Sequence, residues 1–369
     1  MPDPHGPDAA QLGIASRKSD HIALCIDGDV GFRQQTTLLE QVQLVHDALP
    51  ELSLDHIDLS ARFVGKSLRA PLIIAAMTGG TPEAARINAD LARAAESFGI
   101  GFAFGSQRPL LLRDIRDGYF VRDRAPTALI LGNIGVVQAR ETPTARLREL
   151  VVETGCDALC VHLNPAMEVV QPGGDRDFRG GAETLRRLVG ELGVPLIVKE
   201  TGCGLSRGLG QRLVGLGVRH VDTSGAGGTS WVAVETARAS AGQRALGERF
   251  RDWGIPTAAS VLQLQGLGLE ICATGGIRHG LDVASALALG ATVAGIARPF
   301  LQAHARGELH EAISAVVEEL RVVCLLTGAG AVGELAQVPR VLGGDLRAWQ
   351  PSFAPPVRPP SAALPVDPG

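Results

Sequence analysis

The sequence predicts an α/β protein built as a (β/α)8 barrel, the TIM-barrel architecture, on three observations. Short apolar runs alternate with stretches of helical apolar spacing roughly eight times along the chain. Most of these apolar runs end in glycine, polar or charged residues. The chain has 369 residues, of which 45% are hydrophobic and 20% charged, a composition that suits one large soluble domain. Because the carboxyl ends of barrel strands meet at one face, these polar ends predict a single site at the barrel mouth.

Eight apolar runs are predicted to form the barrel strands. In chain order they are 72–76, 101–104, 128–131, 158–161, 196–198, 220–222, 270–273 and 292–296. Amphipathic spacing predicts helices between them, among them 84–98, 145–154, 182–192 and 283–289. A doubly wound open sheet is the alternative architecture. It would be expected to carry a Gly-x-Gly-x-x-Gly turn after its first strand, where this chain has Met77-Thr78-Gly79-Gly80.

The remaining segments complete the expected domain organisation. Residues 1–15 are expected to form a flexible N-terminus, residues 16–345 a single barrel domain, and residues 346–369, rich in proline, a disordered tail. The chain before the first strand is long, so an N-terminal extension is expected to cover the barrel. Residues 226–269 are expected to form a long loop after the sixth strand, and loops of this length usually close over a ligand.

Charge and cysteine content narrow the classes of partner. A net charge of −4 and the lack of a basic stripe argue against nucleic acid. Six cysteines without metal-ligand spacing fit a reducing compartment. The polar opening does not resemble a signal peptide, and no apolar stretch is long enough to cross a bilayer. We therefore expect a cytoplasmic protein that binds neither nucleic acid nor membranes.

The fourth predicted strand ends in residues that indicate a ligand pocket. His162 and Asn164 are two apart and so share a face of the strand end, and Glu168 follows on the loop beyond. An imidazole, an amide and a carboxylate are costly to bury in a core strand, so their presence here indicates a ligand. The alternative is a polar strand end that faces solvent, but similar polar ends recur along the chain.

Two glycine turns late in the chain indicate a phosphate site. Thr274-Gly275-Gly276-Ile277-Arg278 and Gly295-Ile296-Ala297-Arg298 follow the seventh and eighth predicted strands, where barrels commonly bind phosphate through backbone N–H groups. The alternative is that these glycines only permit tight packing. Lys199 ends the fifth strand and would face the mouth, where it would stabilise negative charge on a reduced flavin or pair with a nearby carboxylate.

A set of motifs resembles those of the type 2 isopentenyl-diphosphate isomerases. They occur in the family's order from about residue 17 to residue 300. The motifs are Arg17-Lys18-x-x-His21, Met77-Thr78-Gly79-Gly80, Gly105-Ser106-Gln107-Arg108, His162-x-Asn164, Val198-Lys199-Glu200, Gly227-Gly228-Thr229-Ser230-Trp231 and Thr274-Gly275-Gly276-Ile277-Arg278. Other flavin barrels share only the phosphate turns.

The resemblance implies an activity and its cofactors. It implies that residues 16–345 form an FMN-binding barrel that isomerises isopentenyl diphosphate to dimethylallyl diphosphate. It further implies Mg²⁺, a reduced flavin with NADPH as the reductant, and a homo-oligomer, a tetramer or an octamer.

The resemblance also assigns residues to the site, position by position. FMN contacts would fall on Met77, Thr78, Gly79, Ser106, Asn133, Lys199, Ser224, Thr229, Gly275, Arg278, Gly295 and Ala297. Contacts to the substrate diphosphate would fall on Arg17, Lys18, Arg108, Asn133, His162 and Asn164. Glu168 matches the family's metal-binding glutamate. The catalytic positions would be Lys199, His162 and Met167.

Two of these positions depart from the family pattern. Met167 stands where the family has a glutamine proposed to take part in proton transfer near the double bond, and a thioether has no proton to give. Gly173 stands where many relatives have a glutamate. Either reduced flavin carries both proton transfers, or the chain turns over slowly or acts on another prenyl substrate.

Three other functions remain open at the level of sequence. A 2-hydroxy-acid oxidase of the same fold would need a histidine base beside an arginine, and His279 next to Arg278 is the candidate. An inosinate-dehydrogenase-like barrel would need a nucleophilic cysteine, and Cys203 follows the wrong strand for it. The third is a flavin- or prenyl-phosphate-binding protein with weak turnover, which Met167 favours.

Overall fold

The predicted strands close into a parallel barrel. The computed structural model describes residue 18 and residues 20–351 of the chain. The barrel strands are β1 (Leu72–Ile74), β2 (Gly101–Ala103), β3 (Leu129–Gly135), β4 (Ala158–His162), β5 (Leu196–Lys199), β6 (His220–Asp222), β7 (Glu270–Ala273) and β8 (Val293–Ile296). Each strand pairs in parallel with its neighbours in the sequence, and β8 pairs with β1 to close the ring. All eight strand predictions are therefore confirmed, and the open-sheet alternative is wrong.

Helices surround the barrel in the expected alternation. They are a helix through 20–27 (α1), α2 (Pro82–Phe98), α3 (Arg108–Arg113), α4 (Val136–Glu141), α5 (Thr144–Thr154), α6 (Pro165–Val170), α7 (Gly181–Glu191), α8 (Arg207–Gly215), α9 (Trp231–Arg238), α10 (Ala241–Phe250), α11 (Thr257–Leu264), α12 (Gly280–Ala288), α13 (Arg298–Arg306), α14 (Leu309–Leu326) and α15 (Gly344–Arg347). Local capping explains several starts. Thr81 Oγ1 accepts from Ala84 N (3.1 Å) at α2, and Ser230 Oγ accepts from Ala233 N (3.2 Å) at α9.

Two short antiparallel pairs lie outside the barrel. Ala61–Phe63 pairs with Lys66–Leu68, and Val42–Leu44 pairs with Arg340–Leu342. The first pair forms a hairpin that places Phe63 and Leu68 in the barrel interior, opposite the mouth. It therefore closes the end of the barrel remote from the predicted site. Sequence analysis did not predict either pair, because each strand is only three residues long.

Two expectations about the connecting segments need correction. The segment 226–269 is mostly helical rather than a loop, since it contains α9, α10 and α11. Helix α11 is buried against the barrel and supplies the outer layer between β6 and β7. The domain also continues past residue 345, because Leu346 is fully buried and its N–H donates to Gln41 Oε1 (2.9 Å). Residues 1–15 and 352–369, where flexible ends were expected, lie outside the described residues.

The hydrophobic core has two layers that follow from strand alternation. On each strand the residues of one parity point into the barrel and the others point outward to the helices. Ile73, Ala103, Cys160, Ile197 and Cys272 are among those that fill the interior. Within the described part of the chain, no helix combines the length and the apolarity required to cross a bilayer.

Candidate active site

A large cavity opens at the carboxyl ends of the barrel strands. It has a volume of about 560 Å³ and is lined by residues from the turns that follow the strands and from α1 and α6. The predicted residues that line it are Lys18, Met77, Ser106, Arg108, Asn133, His162, Asn164, Met167, Glu168, Lys199, Ser224, Thr229, Gly275, Arg278, Gly295 and Ala297. The structure thus brings nearly all of the sequence-predicted site residues together. Arg17 lies outside the described residues.

Thr78 and Gly79 lie behind the cavity wall rather than on it. A Cβ atom on Gly79 would be 2.3 Å from Tyr119 Cε1, so glycine permits the close approach of this aromatic ring. The Thr78 hydroxyl is buried and has no hydrogen-bond partner among the described residues. The residue of this turn that faces the cavity is Met77.

Gly275 and Gly276 in the first predicted phosphate turn allow neighbouring backbones to approach closely, whereas Gly295 in the second turn leaves room for the Thr274 side chain. Gly275 has a left-handed φ of 101°, and a Cβ atom there would lie 2.2 Å from the Gly225 carbonyl oxygen. A Cβ atom on Gly228 would lie 2.3 Å from Gly276 N. The glycines therefore serve tight packing, as the alternative held, and they also line the cavity with backbone. A side-chain-free wall of this kind is suited to a phosphate or a flat ring.

His162 is a buried, neutral imidazole in a fixed orientation. Asn133 Nδ2 donates to the Phe104 carbonyl oxygen (3.1 Å), which leaves Asn133 Oδ1 facing His162 Nδ1 at 2.9 Å. The protonated Nδ1 therefore donates a hydrogen bond to Asn133 Oδ1. Burial, and after it the positive charges of Lys199, Lys18 and Arg108, lowers the pKa of His162 to about 3. Near neutral pH the free Nε2 therefore carries a lone pair.

Glu168 lies on α6, one turn from Asn164, and not on a loop as expected, because Pro165 begins a short helix there. Its carboxylate is buried and held on both oxygens. Oε1 accepts from Asn164 Nδ2 (2.7 Å), and Oε2 accepts from Asp175 N (2.8 Å) and Gln171 Nε2 (3.4 Å). No group of three or more His, Cys, Asp or Glu side chains that would hold a metal occurs within the described ranges. Any cation at Glu168 would take its other ligands from a substrate and from water.

Lys199 reaches the cavity floor from the end of β5. Its ammonium donates to the Glu200 carbonyl oxygen (2.5 Å) and lies 3.8 Å from Asp222 Oδ2. The predicted pairing with a carboxylate is thus present, and the side chain also lines the cavity. Glu200 Oε2 accepts from the backbone N–H groups of Thr201 (2.6 Å), Gly202 (2.7 Å) and Cys203. Burial nevertheless raises the pKa of Glu200 to about 7.

The two departures from the family pattern lie in different surroundings. Met167 is part of α6 and lines the cavity beside Asn164 and Glu168. Gly173 has a left-handed φ of 69°, and nothing within 4 Å would meet a Cβ atom there. Only the first departure therefore changes the wall of the cavity.

The residues that two rival functions require lie away from the cavity lining. His279 is the N-cap of α12, where its Nδ1 accepts from Asp282 N (3.1 Å), and it is not among the residues that line the cavity. Cys203 is also absent from the lining, and burial raises the pKa of its thiol. Neither His279 nor Cys203 is therefore presented to a ligand in this cavity.

Sequence analysis assigned no ligand contact to several residues that line the cavity, although some of them stand within its motifs. They are His21, Gln138, Gln171, Asp222, Trp231 and Arg298. Asp222 is the most informative, because it ends a predicted strand just before Thr223-Ser224-Gly225 and lies next to Lys199. Its position as the last residue of an apolar run was the available signal.

Solved structures with the same architecture include two classes of oxidase. A mandelate oxidase mutant with the monooxide FMN adduct is 17% identical, with a TM-score of 0.62, covering 91% of this chain and 100% of that chain. A putative lactate oxidase from Pediococcus acidilactici is 15% identical, with a TM-score of 0.64, covering 90% and 94% of the two chains. At these identities the likeness establishes the fold alone.

Sequence relatives are much closer to this chain. The model of a family described as FMN-dependent dehydrogenase matches residues 10–182 and 175–339. An isopentenyl-diphosphate delta-isomerase of Synechococcus sp. is 46% identical, covering 88% of this chain and 95% of the relative. Proteins of the same name from Pyrobaculum arsenaticum (45% identical; 92% and 98% covered) and Methanothermobacter thermautotrophicus (42%; 91% and 95%) are similarly close. The chain therefore belongs to the FMN-dependent dehydrogenase family and to the isopentenyl-diphosphate delta-isomerase family.

Proposed function

We propose that the protein isomerises isopentenyl diphosphate to dimethylallyl diphosphate with reduced FMN and Mg²⁺. The observation that carries this proposal is the convergence of the diphosphate motif residues, the glycine turns and Lys199 on one cavity. Relatives that cover nearly the whole chain and carry the isomerase name support the same reaction.

The residues around the cavity fit FMN. The backbone at Gly275 and Gly295 and the side chain of Arg278 would hold the phosphate, and Met77, Ser106, Thr229 and Ala297 would hold the rest of the cofactor. The wall without side chains at Gly275 supports a ligand on this side of the cavity. When bound and reduced, FMN would supply an acid/base or electronic partner for the alkene. We propose NADPH as the reductant.

The substrate diphosphate would lie toward α1 and α3. Lys18 and Arg108 line this part of the cavity and would provide charge-assisted hydrogen bonds, with Arg17 added from the preceding residue. Asn133, His162 and Asn164 would complete the polar wall. A net-acidic chain thereby supplies the positive charge that a diphosphate requires locally. Glu168 would bind Mg²⁺ together with the phosphate oxygens.

The reaction itself moves protons without net oxidation. One end of the alkene gains a proton and an adjacent carbon loses one, so the protein must orient the alkene and exclude water. Lys199 lies at the floor of the cavity and would stabilise negative charge on the flavin ring system. Met167 would pack against the apolar part of the substrate without supplying a proton.

Met167 also supports a second candidate function. If the amide of the family glutamine is indispensable, the same cavity would bind a prenyl diphosphate with weak turnover or accept a different prenyl substrate. The two proposals share the cofactor and the diphosphate site and differ only in rate and product.

Anaerobic assays separate these proposals. Protein reconstituted with FMN would be mixed with isopentenyl diphosphate and Mg²⁺, with and without NADPH, and the product would be identified by mass spectrometry after dephosphorylation. We expect dimethylallyl diphosphate only in the reduced sample. Binding of the substrate without product would favour the second candidate, and colourless protein after reconstitution and desalting would overturn the FMN assignment.

We further propose that the protein acts in the cytoplasm as a homo-oligomer, a tetramer or an octamer. Light scattering of the purified holoprotein tests the assembly. A monomeric mass at micromolar concentration would contradict it.

A further inference from the structure

Asp222 is a buried carboxylate at the cavity floor. It is the last residue of β6, in register with Lys199 on β5 and with Cys272 on β7. Only 8% of the residue is exposed, and part of it lines the cavity. A carboxylate in such surroundings is costly unless it is paired and hydrogen-bonded, so its partners indicate what it does.

The partners of Asp222 come from three consecutive strand ends. Oδ1 accepts from the Thr274 hydroxyl and from Ser224 N (3.1 Å). Oδ2 lies 3.8 Å from Lys199 Nζ. One side chain thus joins the end of β5, the turn after β6 and the turn after β7. Each of these segments lines the predicted flavin cavity.

The turn at Ser224 depends on these contacts. Ser224 has a left-handed φ of 37°, which a residue with a side chain rarely adopts. Its N–H lies 3.1 Å both from Asp222 Oδ1 and from Thr274 Oγ1, and its carbonyl accepts from Gly204 N (3.1 Å). The surroundings therefore hold a conformation that the residue would not take by itself.

Asp222 is also the charged partner of the Lys199 ammonium. The carbonyl oxygen of Glu200 that accepts from the ammonium is neutral. Among the described residues, Asp222 is the one carboxylate whose oxygen lies within 4 Å of Lys199 Nζ, at 3.8 Å. At this separation the two charges interact strongly in a site screened from water.

We propose that Asp222 is a positioning residue at the floor of the cavity that binds flavin. It orients the Lys199 ammonium and holds the left-handed turn at Ser224. It also partly offsets the positive charge of Lys199 that acts on bound reduced flavin. This inference rests on FMN binding but requires no particular substrate. Asp222 would act through its contacts with Lys199 and Ser224.

The charge component is tested by the midpoint potential of bound FMN, measured against a reference dye. Asp222→Asn keeps the shape and removes the negative charge, so Lys199 would stabilise the anionic reduced flavin more and the potential would become more positive. Thr274→Val is the matched control, because it removes a hydrogen bond to Asp222 and leaves the charge in place. An unchanged potential in Asp222→Asn, or an equal shift in the control, would overturn the charge component.

The turn component is tested by the dissociation constant of FMN from reconstituted apoprotein. Asp222→Ala is expected to weaken FMN binding at least tenfold, and Ser224→Gly in that background to restore most of it, because glycine adopts a left-handed φ without help. If the double variant has a native circular dichroism spectrum but does not regain FMN affinity, the turn component is overturned. If Asp222→Ala does not fold, the same rescue is sought in Asp222→Leu, which is similar in size to aspartate and has no acceptor for Ser224 N.

These measurements are separable from the isomerase proposal. Wild-type protein that binds FMN but makes no product would overturn the isomerase proposal and leave both tests of Asp222 valid. Wild-type protein that binds no FMN would overturn both the isomerase proposal and the proposal for Asp222.

Discussion

His162 Nδ1 lies 2.9 Å from Asn133 Oδ1, and this contact fixes both the orientation and the proton of the imidazole. Asn133 is itself anchored, since its backbone N–H donates to Gln107 Oε1 (2.8 Å) and its amide donates to Phe104 O (3.1 Å). The end of β4 is therefore held by the end of β3. A histidine so held is neutral in the absence of an anion.

The neutral state of His162 predicts a dependence of stability on pH. Its pKa in the folded chain, about 3, lies below the ordinary value of 6.5. The unfolded chain therefore binds the extra proton first, and stability is lost as pH falls from about 6.5 toward 3, by at most about 1.4 kcal/mol per pH unit. His162→Gln should remove this part of the loss.

Urea titrations at several pH values measure this loss of stability at low pH. The gap between the unfolding free energies of wild type and His162→Gln should be constant above pH 7 and should change steadily below it. His46→Gln, at an exposed position, is the control for the loss of a histidine outside the cavity. Parallel curves for His162→Gln would show that folding does not lower the pKa of His162.

Positive charge near α1 and α3 is predicted to serve the substrate and not the flavin. Lys18→Ala and Arg108→Ala should each raise KM about ten- to a hundredfold, because a charge-assisted hydrogen bond is worth about 1.5–3 kcal/mol. Affinity for FMN should stay the same. Arg113→Ala removes an exposed charge from the same helix as Arg108 and should leave KM unchanged. An unaltered KM in both cavity variants would place the diphosphate elsewhere.

Glu168 is predicted to set the requirement for Mg²⁺. Glu168→Gln keeps the acceptor for Asn164 Nδ2 but removes the negative charge, so the Mg²⁺ concentration for half-maximal rate should rise at least tenfold. Glu183→Gln, an exposed position on α7, is the charge-matched control. If the Mg²⁺ curve of Glu168→Gln coincides with that of wild type, the substrate alone holds the metal.

Met167 is predicted to lower the rate without changing the reaction. General acid–base help from one side chain is typically worth about 10²–10⁴-fold, so its loss is compatible with the same product. Met167→Gln should raise kcat at least tenfold if the amide takes part, whereas Met167→Leu, similar in size and without an amide, should not. Equal rates for all three proteins would mean that this position only shapes the apolar wall.

The sequence predicted the barrel well because its signals are local. Each strand is a short apolar run, and polar ends such as His162 and Lys199 mark the face where parallel strands finish. The short antiparallel pairs escaped prediction because three residues, as in Ala61–Phe63, carry no periodicity. The helical character of 226–269 was missed because a long gap between strands was read only for its length.

The site was predicted less completely than the fold, for a different reason. Motifs named the residues that would touch ligands, but they did not show which side chains hold those residues in place. The sequence does not show that Asp222 is a partner of Lys199, because the two residues are 23 positions apart and come together only through strand register. Gly79 was predicted as a ligand contact, and its packing against Tyr119 is a second reason for a glycine there that the motif did not show.

The central claim is that this cavity isomerises isopentenyl diphosphate, and proton NMR in D₂O tests it most directly. Wild-type protein with FMN, NADPH and Mg²⁺ would be incubated anaerobically with the substrate. The account predicts that the vinylic signals of isopentenyl diphosphate give way to those of dimethylallyl diphosphate, with deuterium from solvent in a methyl group. Bound reduced FMN and saturating substrate with neither product nor deuterium uptake would contradict it.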